Sequence, residues 1–213
     1  RAEGYSRFQP KVGGEPDTDI ERICALAAER QTGEVVVVDA NGGWLAHEAI
    51  RVVRAIRDLD ITIEQPCASY EACLAVRRLT DLPLVLDEVI DSVPALLRAH
   101  ADGAMDAINL KLSKVGGMTR ARQIRNLCVA LGLPMTIEDS GGGDIIGTAV
   151  AHLAQATPEK YRFGVSSGFF KVKLNTTEGA PRIAQGRISA PTGPGLGLRL
   201  RAEALGEPVV DVT

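Results

Sequence analysis

The sequence predicts an α/β fold, a parallel (β/α) barrel of the TIM type, and three observations predict it. Strand-like runs alternate with amphipathic helical stretches along nearly the whole chain. The polar residues that close those runs recur at almost constant spacing. They are carboxylates and lysines, placed where such a barrel gathers the carboxyl ends of its strands.

The strand-like runs are RFQPKV (7–12), VVVVDA (35–40), ITIEQP (61–66), LVLDEV (84–89), AINLKL (107–112), MTIEDS (135–140) and RFGVS (162–166). Four consecutive valines before Asp39 are stiff at χ1, and an unbroken apolar run means that both faces of the strand are covered. In AINLKL, Asn109 and Lys111 share one face while Ile108, Leu110 and Leu112 take the other, so the polar face lines the barrel interior. Helical stretches fill the intervals at 18–30, 45–57, 70–78, 92–101, 117–131 and 144–155. YEACLAVRR and GMTRARQIRNLCVAL repeat apolar residues at i, i+3, i+4 and i+7. Thr18, Ser69 and Ser92 are expected as N-caps, and Gly33 and Gly132 as helix C-termini.

Lys11 to Asp39 is 28 residues, Asp39 to Glu64 is 25, Glu64 to Asp87 is 23, Asp87 to Lys111 is 24, and Lys111 to Asp139 is 28. A doubly wound open sheet fits the alternation too. Only a barrel, however, brings every strand's carboxyl end to one ring; edge strands of an open sheet would point theirs at solvent. Seven strands are visible, so an eighth is expected before Arg1, where the chain opens without Met or any evident start to a fold.

The chain has 213 residues, 45% of them hydrophobic, and a net charge of −3, enough to bury a sizeable core. No basic run interleaved with aromatics suggests a nucleic-acid surface, and no apolar stretch approaches a membrane span. No signal-peptide pattern is present. Cys24, Cys67, Cys73 and Cys128 lack zinc-type spacing, and Cys24 and Cys128 read as reduced core thiols. These features predict a cytoplasmic protein.

Asp39, Glu64 and Asp87 close three consecutive strands and would lie side by side at the barrel mouth. Three adjacent carboxylates raise one another's pKa, and a hard divalent cation removes that cost. All-oxygen ligation points to Mg²⁺, with Mn²⁺ as its substitute, rather than zinc. The competing reading is three independent helix N-caps. Lys11 and Lys111 flank the trio, whereas Lys114 and Lys171 read as solvated surface lysines. A lysine buried beside a cation is expected to be pushed toward the neutral amine and to serve as a base. With a substrate carboxylate on the cation, one lysine would remove the α-proton and the other would return a proton or assist a leaving group.

FQPKVGG (8–14), VVDANGGW (37–44), IEQPC (63–67), LDEV (86–89), NLKLSKVGG (109–117) and EDSGGGDI (138–145) together resemble the enolase superfamily, in its mandelate racemase/muconate lactonizing enzyme group. The resemblance covers nearly the whole chain. It implies Asp39, Glu64 and Asp87 as Mg²⁺ ligands and Lys11 and Lys111 as acid/base lysines. It also implies an N-terminal α+β capping domain, absent here together with the first barrel strand. The resulting division is a barrel over 1–168 and a C-terminal segment over 169–213 that packs back toward barrel and capping domain. A homo-oligomer acting on a small-molecule carboxylate is implied as well.

Two departures from the family pattern matter. Gln9-Pro10-Lys11 stands where many members carry Lys-x-Lys. The three histidines, His47, His100 and His152, lie in helical patterns, so the His–Asp base of mandelate racemase has no counterpart. The chain is thus similar to the two-lysine type, and most similar to members that dehydrate cis-3-hydroxy-L-proline or epimerise hydroxyproline betaine. Dipeptide epimerases usually carry Asp-x-Asp after the last strand, where this chain reads FGVSSGFF (163–170). Gln9, Asn41, Glu88, Asn109 and Asp139 are expected around the substrate or behind the ligands. Asn41 reads either as a loop or substrate support or as a plain turn former. Asp139 is expected to orient Lys111 or to bind a substrate ammonium. Alternatives are another racemase or cycloisomerase of the group, a phosphate-binding barrel using Gly141–Gly143, or an inert fragment.

Overall fold

A computed structural model describes residues 1–166 and 175–205. Seven strands form one parallel sheet in sequential order: β1 (Arg7–Phe8), β2 (Val35–Asp39), β3 (Thr62–Glu64), β4 (Leu84–Leu86), β5 (Ala107–Lys111), β6 (Met135–Glu138) and β7 (Arg162–Val165). Six helices alternate with them: α1 (Pro16–Ala28), α2 (Ala46–Ala55), α3 (Tyr70–Arg77), α4 (Val93–Ala101), α5 (Met118–Leu131) and α6 (Gly143–Gln155). The sheet curls until its two outer strands approach each other, with the Arg7 guanidinium 4.9 Å from the centre of the Phe163 ring. No backbone pairing between β1 and β7 closes the ring among the described residues. The predicted barrel is therefore nearly closed, with one gap between β1 and β7. A cleft runs along the free edge of β1, past Tyr5, Phe8, Leu26 and Val36, with Arg1, Arg7, Glu29, Arg30 and Glu34 also lining it.

The valines of β2 and the LVL of β4 are continuous apolar runs because helices cover the strands outside and side chains fill the barrel inside. Val38, Ile63, Leu84, Leu86, Ile108 and Ile137 are completely buried. The helices start and stop for local reasons. Ser69 and Ser92 cap α3 and α4 by accepting from the amides of Ala72 and Ala95. Gly132 ends α5 in the left-handed conformation.

Three sequence expectations need correction here. Thr18 does not cap α1: Glu15 does, accepting from the Thr18 amide, and Pro16 opens the first turn where its missing N–H costs nothing. Gly33 lies in the turn after α1, whose C-cap is Glu29. Cys24 is exposed, while Cys128 is buried as expected. His47 and His100 are exposed.

Residues 175–205 form two small antiparallel pairs, β8 (Thr177–Glu178) with β11 (Arg199–Leu200) and β9 (Ile183–Ala184) with β10 (Arg187–Ile188), before the short α7 (Ala202–Leu205). They return to the barrel. Asp144 at the start of α6 accepts from Thr176 and from the Thr177 amide and hydroxyl, and the His152 ring lies 3.1 Å from the Leu196 carbonyl oxygen. The expected boundary at 168/169, the second half of the FGVSSGFF stretch (167–170) and Lys171 lie outside the described residues. No helix among the described residues is long and apolar enough to cross a membrane.

Candidate active site and metal centre

Strand register decides which side chains meet. Lys11 bridges Asp39, Asp39 pairs with Glu64, and Lys111 pairs with Glu138. Asp87 follows β4 directly. Around the mouth the order is therefore Lys11, Asp39, Glu64, Asp87, Lys111, Glu138, with three buried carboxylates between two lysines.

The Lys11 ammonium is ion-paired with Asp39 Oδ2, and the Asn41 amide donates to Oδ1 at 2.8 Å. Asn41 holds a positive φ of 45° and its side-chain amide donates to Glu88 Oε1 at 3.1 Å. It thus acts as a loop support that ties the end of β2 to the end of β4. Gln9 donates to Glu64 Oε2 and Asn109 to Glu64 Oε1, each at 2.8 Å. The residue that replaces the first lysine of Lys-x-Lys thus rests on a candidate ligand.

Burial, and then the negative charge of Asp39, push the Glu64 carboxyl up to about 7 against the opposing hydrogen bonds of Asn109 and Gln9. Asp87 is fully buried, with Oδ2 on Lys111 and Oδ1 on Lys114 at 2.7 Å. Burial alone would lower the Lys111 pKa, but the hydrogen bond and charge of Asp87 and the charge of Glu138 raise it above the ordinary lysine range. The expected neutral amine is therefore not the state of Lys111 without a cation, because Asp87 Oδ2 and the Glu138 charge hold its proton.

Three residues that sequence reasoning missed support the site. Lys114, expected as a surface lysine, is 15% exposed at its side chain and donates to Asp87 Oδ1, to the Asp87 carbonyl at 2.6 Å and to the Asn109 carbonyl at 3.0 Å. The signal was its spacing, three residues from Lys111 in the turn that follows β5. Gln65, fully buried at a positive φ of 36°, accepts from the Asp87 amide and donates to the Cys67 carbonyl. Asp19 is buried and accepts from the amides of Gly13 and Gly14 and from the Trp44 indole, anchoring the loop after Lys11.

Asp139 is not directed at Lys111. Its two oxygens accept from the amide and hydroxyl of Ser113 and from the Ser140 amide. Glu138 is the acid beside Lys111, at 3.5 Å, and it also accepts from Asn109 at 3.0 Å. Alternation in MTIEDS carried that signal, since Met135 and Ile137 are buried on the other face.

The donor set suits a hard cation in chemistry: carboxylates on adjacent strands, one of them, Glu64, pushed toward its neutral form by burial and by the charge of Asp39. In this conformation no three such side chains among the described residues close a cation shell, because ammonium groups lie against Asp39 and Asp87. A cation held by Asp39, Glu64 and Asp87 would compete with Lys11 for Asp39 and with Lys111 and Lys114 for Asp87. The phosphate alternative finds an obstacle at Gly141–Gly143, since Asp144 occupies the first turn of α6.

A nearly closed parallel barrel gathers carboxylates flanked by lysines at the carboxyl ends of its strands, an arrangement whose chemistry suits acid–base work beside a cation. The chain belongs to the enolase C-terminal domain-like family, whose model matches residues 1–204. It is 50% identical over 98% of its length to cis-3-hydroxy-L-proline dehydratase from Roseibium aggregatum, covering 57% of that protein. A mandelate racemase/muconate lactonizing enzyme from Roseovarius nubinhibens ISM superposes with a TM-score of 0.95 at 41% identity, over 99% of this chain and 57% of that one. An enolase-superfamily member from the same organism, solved with magnesium, gives 0.94 at 38% identity, over 98% and 57%. The chain thus spans a little over half the length of these relatives.

Proposed function

We propose that the protein is a Mg²⁺-dependent lyase that removes water from a 3-hydroxylated cyclic amino acid of the cis-3-hydroxy-L-proline type. The observation that carries the reading is the ring order itself, two lysines flanking three carboxylates, in a chain half identical to a dehydratase of that substrate. Asp39, Glu64 and Asp87 would hold the cation, which when bound neutralises the second negative charge that builds on the substrate carboxylate.

The chain's own residues do the rest. Lys11 and Lys111 flank the α-carbon; one, as the free amine, takes the α-proton. The other, as the ammonium, gives its proton to the β-hydroxyl as the C–O bond breaks, so water leaves and an enamine remains that tautomerises to a cyclic imine. Gln9 and Asn109 keep Glu64 oriented, and Gln65 and Lys114 do the same for Asp87. Racemisation at the same α-carbon is the second reading, supported by the shared lysine pair and by 30% identity to an N-succinylamino acid racemase from Amycolatopsis.

Proton NMR of the Mg²⁺-loaded full-length protein in D₂O, with cis-3-hydroxy-L-proline among a panel of carboxylates, separates the two. Loss of the β-hydroxyl with imine formation supports dehydration. Deuterium entering the α-position of recovered substrate without elimination supports racemisation, and no change in any carboxylate contradicts both.

A further inference from the structure

We propose that Glu138 forms the subsite for the positively charged nitrogen of the substrate, and so selects α-amino and cyclic imino acids over neutral carboxylates of the same shape. The inference rests on the proposed α-proton chemistry and deepens it.

The register of β5 and β6 sets Glu138 directly beside Lys111, on the strand face that carries Asn109 and Lys111. Its Oε1 accepts from Asn109 at 3.0 Å and lies 3.5 Å from the Lys111 ammonium, while Oε2 has no hydrogen-bond partner among the described residues. Asn109 is fully buried and its amide spans Glu64 and Glu138, which fixes the Glu138 carboxylate against a candidate ligand. Lys111 gives its short contact to Asp87 and leaves Glu138 at the longer distance. The Glu138 charge is therefore only partly balanced.

Geometry then selects the partner. A lysine that removes an α-proton must come within about 3 Å of the group that bears it. The substrate nitrogen is one covalent bond, about 1.5 Å, from that carbon. A carboxylate 3.5 Å from Lys111 Nζ thus falls within reach of that nitrogen, while the substrate carboxylate, bonded to the same carbon, would be repelled by Glu138 and drawn to the cation at Asp39, Glu64 and Asp87. The neighbouring acids are committed elsewhere: Asp139 to Ser113 and Ser140, and Asp144 to Thr176 and Thr177. A charge-assisted hydrogen bond from a secondary ammonium to Glu138 completes a site in which the two ends of an amino acid are held by opposite charges.

The test is calorimetric titration of the Mg²⁺-loaded full-length protein with L-proline and with tetrahydrofuran-2-carboxylate, whose ring oxygen replaces the nitrogen without charge. The expected result is that Glu138→Gln weakens proline binding by roughly tenfold or more, as loss of a charged hydrogen bond does. Tetrahydrofuran-2-carboxylate binding should stay within about twofold, which also reports that the variant is folded, and Glu138→Asp should recover part of the proline affinity. Equal weakening of both ligands, or unchanged proline binding, overturns the inference. Failure of both ligands to bind the parent protein overturns the carboxylate-site reading on which it rests, and is distinguishable because no variant is needed to see it.

Discussion

Replacing Asp19 by alanine removes the acceptor for two backbone amides and one indole N–H, and the cost can be worked out bond by bond. Trp44 is 2% exposed, so its N–H, now 3.0 Å from Asp19 Oδ2, would have no water to turn to. A buried donor left unpaired costs about 1–3 kcal/mol. Gly13 is half-buried and recovers part of its bond from solvent, and exposed Gly14 recovers most of it. The Arg22 pair at Oδ1 adds little, because the guanidinium is half exposed. The sum is about 3–4 kcal/mol for Asp19→Ala. Asp19→Asn keeps an acceptor of the same shape at the Oδ2 position and turns an amide N–H₂ toward Arg22, so it should cost about 1–2 kcal/mol. Equilibrium unfolding in urea, compared at constant slope, measures both. An alanine variant within about 0.5 kcal/mol of the parent would refute the assignment of Asp19 as the anchor of the Lys11 loop. So would an asparagine variant as damaged as the alanine one, since shape and acceptor number would then be irrelevant.

Gly13→Ala should destabilise that same loop by several kcal/mol in the urea assay, because φ is +97° and a Cβ would stand 2.3 Å from the Ala40 carbonyl oxygen. Lys114→Met should lower the unfolding free energy of the metal-free protein by about 3 kcal/mol, since fully buried Asp87 loses one of its two cations. Glu64 titrates near 7 in the fold and near 4.5 when exposed, so the folded state binds the extra proton and stability falls as pH rises between those values. The difference in unfolding free energy between the parent and Glu64→Gln should grow by on the order of 3 kcal/mol across that window and shrink when Mg²⁺ is added. A pH-independent difference would mean that Glu64 carries no such strain.

The barrel was legible because its signals are local and repeated. A run such as VVVVD states its own burial, and the spacing of Lys11, Asp39, Glu64, Asp87 and Lys111 states that strand ends share a ring. Helix starts were legible where one serine does the capping, as at Ser69 and Ser92, and not at α1, where Glu15 and Pro16 share the work. What the site uses behind its first layer depends on contacts between distant segments. Asp19 reaches Trp44 across 25 residues and Gln65 reaches Asp87 across 22, and no periodicity announces either. Lys114 and Glu138 fall between these cases. Each had a usable signal, a one-turn spacing and a strand alternation, but Lys114 looks like any surface lysine until Asp87 is seen to be buried. Asp139 drew attention away from Glu138 because the spacing of strand ends repeats to within a few residues, while the face of a strand changes with every one.

The division of labour between Lys11 and Lys111 is tested most directly by deuterium exchange in the two single variants, Lys11→Ala and Lys111→Ala, each Mg²⁺-loaded and given cis-3-hydroxy-L-proline in D₂O. If the lysines face the α-carbon from opposite sides, neither variant completes the elimination, and one of them alone still washes deuterium into the α-position while the β-hydroxyl stays in place. The lysine retained in that variant is the base, and the other is the acid for the leaving group. Near-parental elimination by both variants would contradict the account, because the groups on either side of Asp39, Glu64 and Asp87 would then be bystanders to the chemistry.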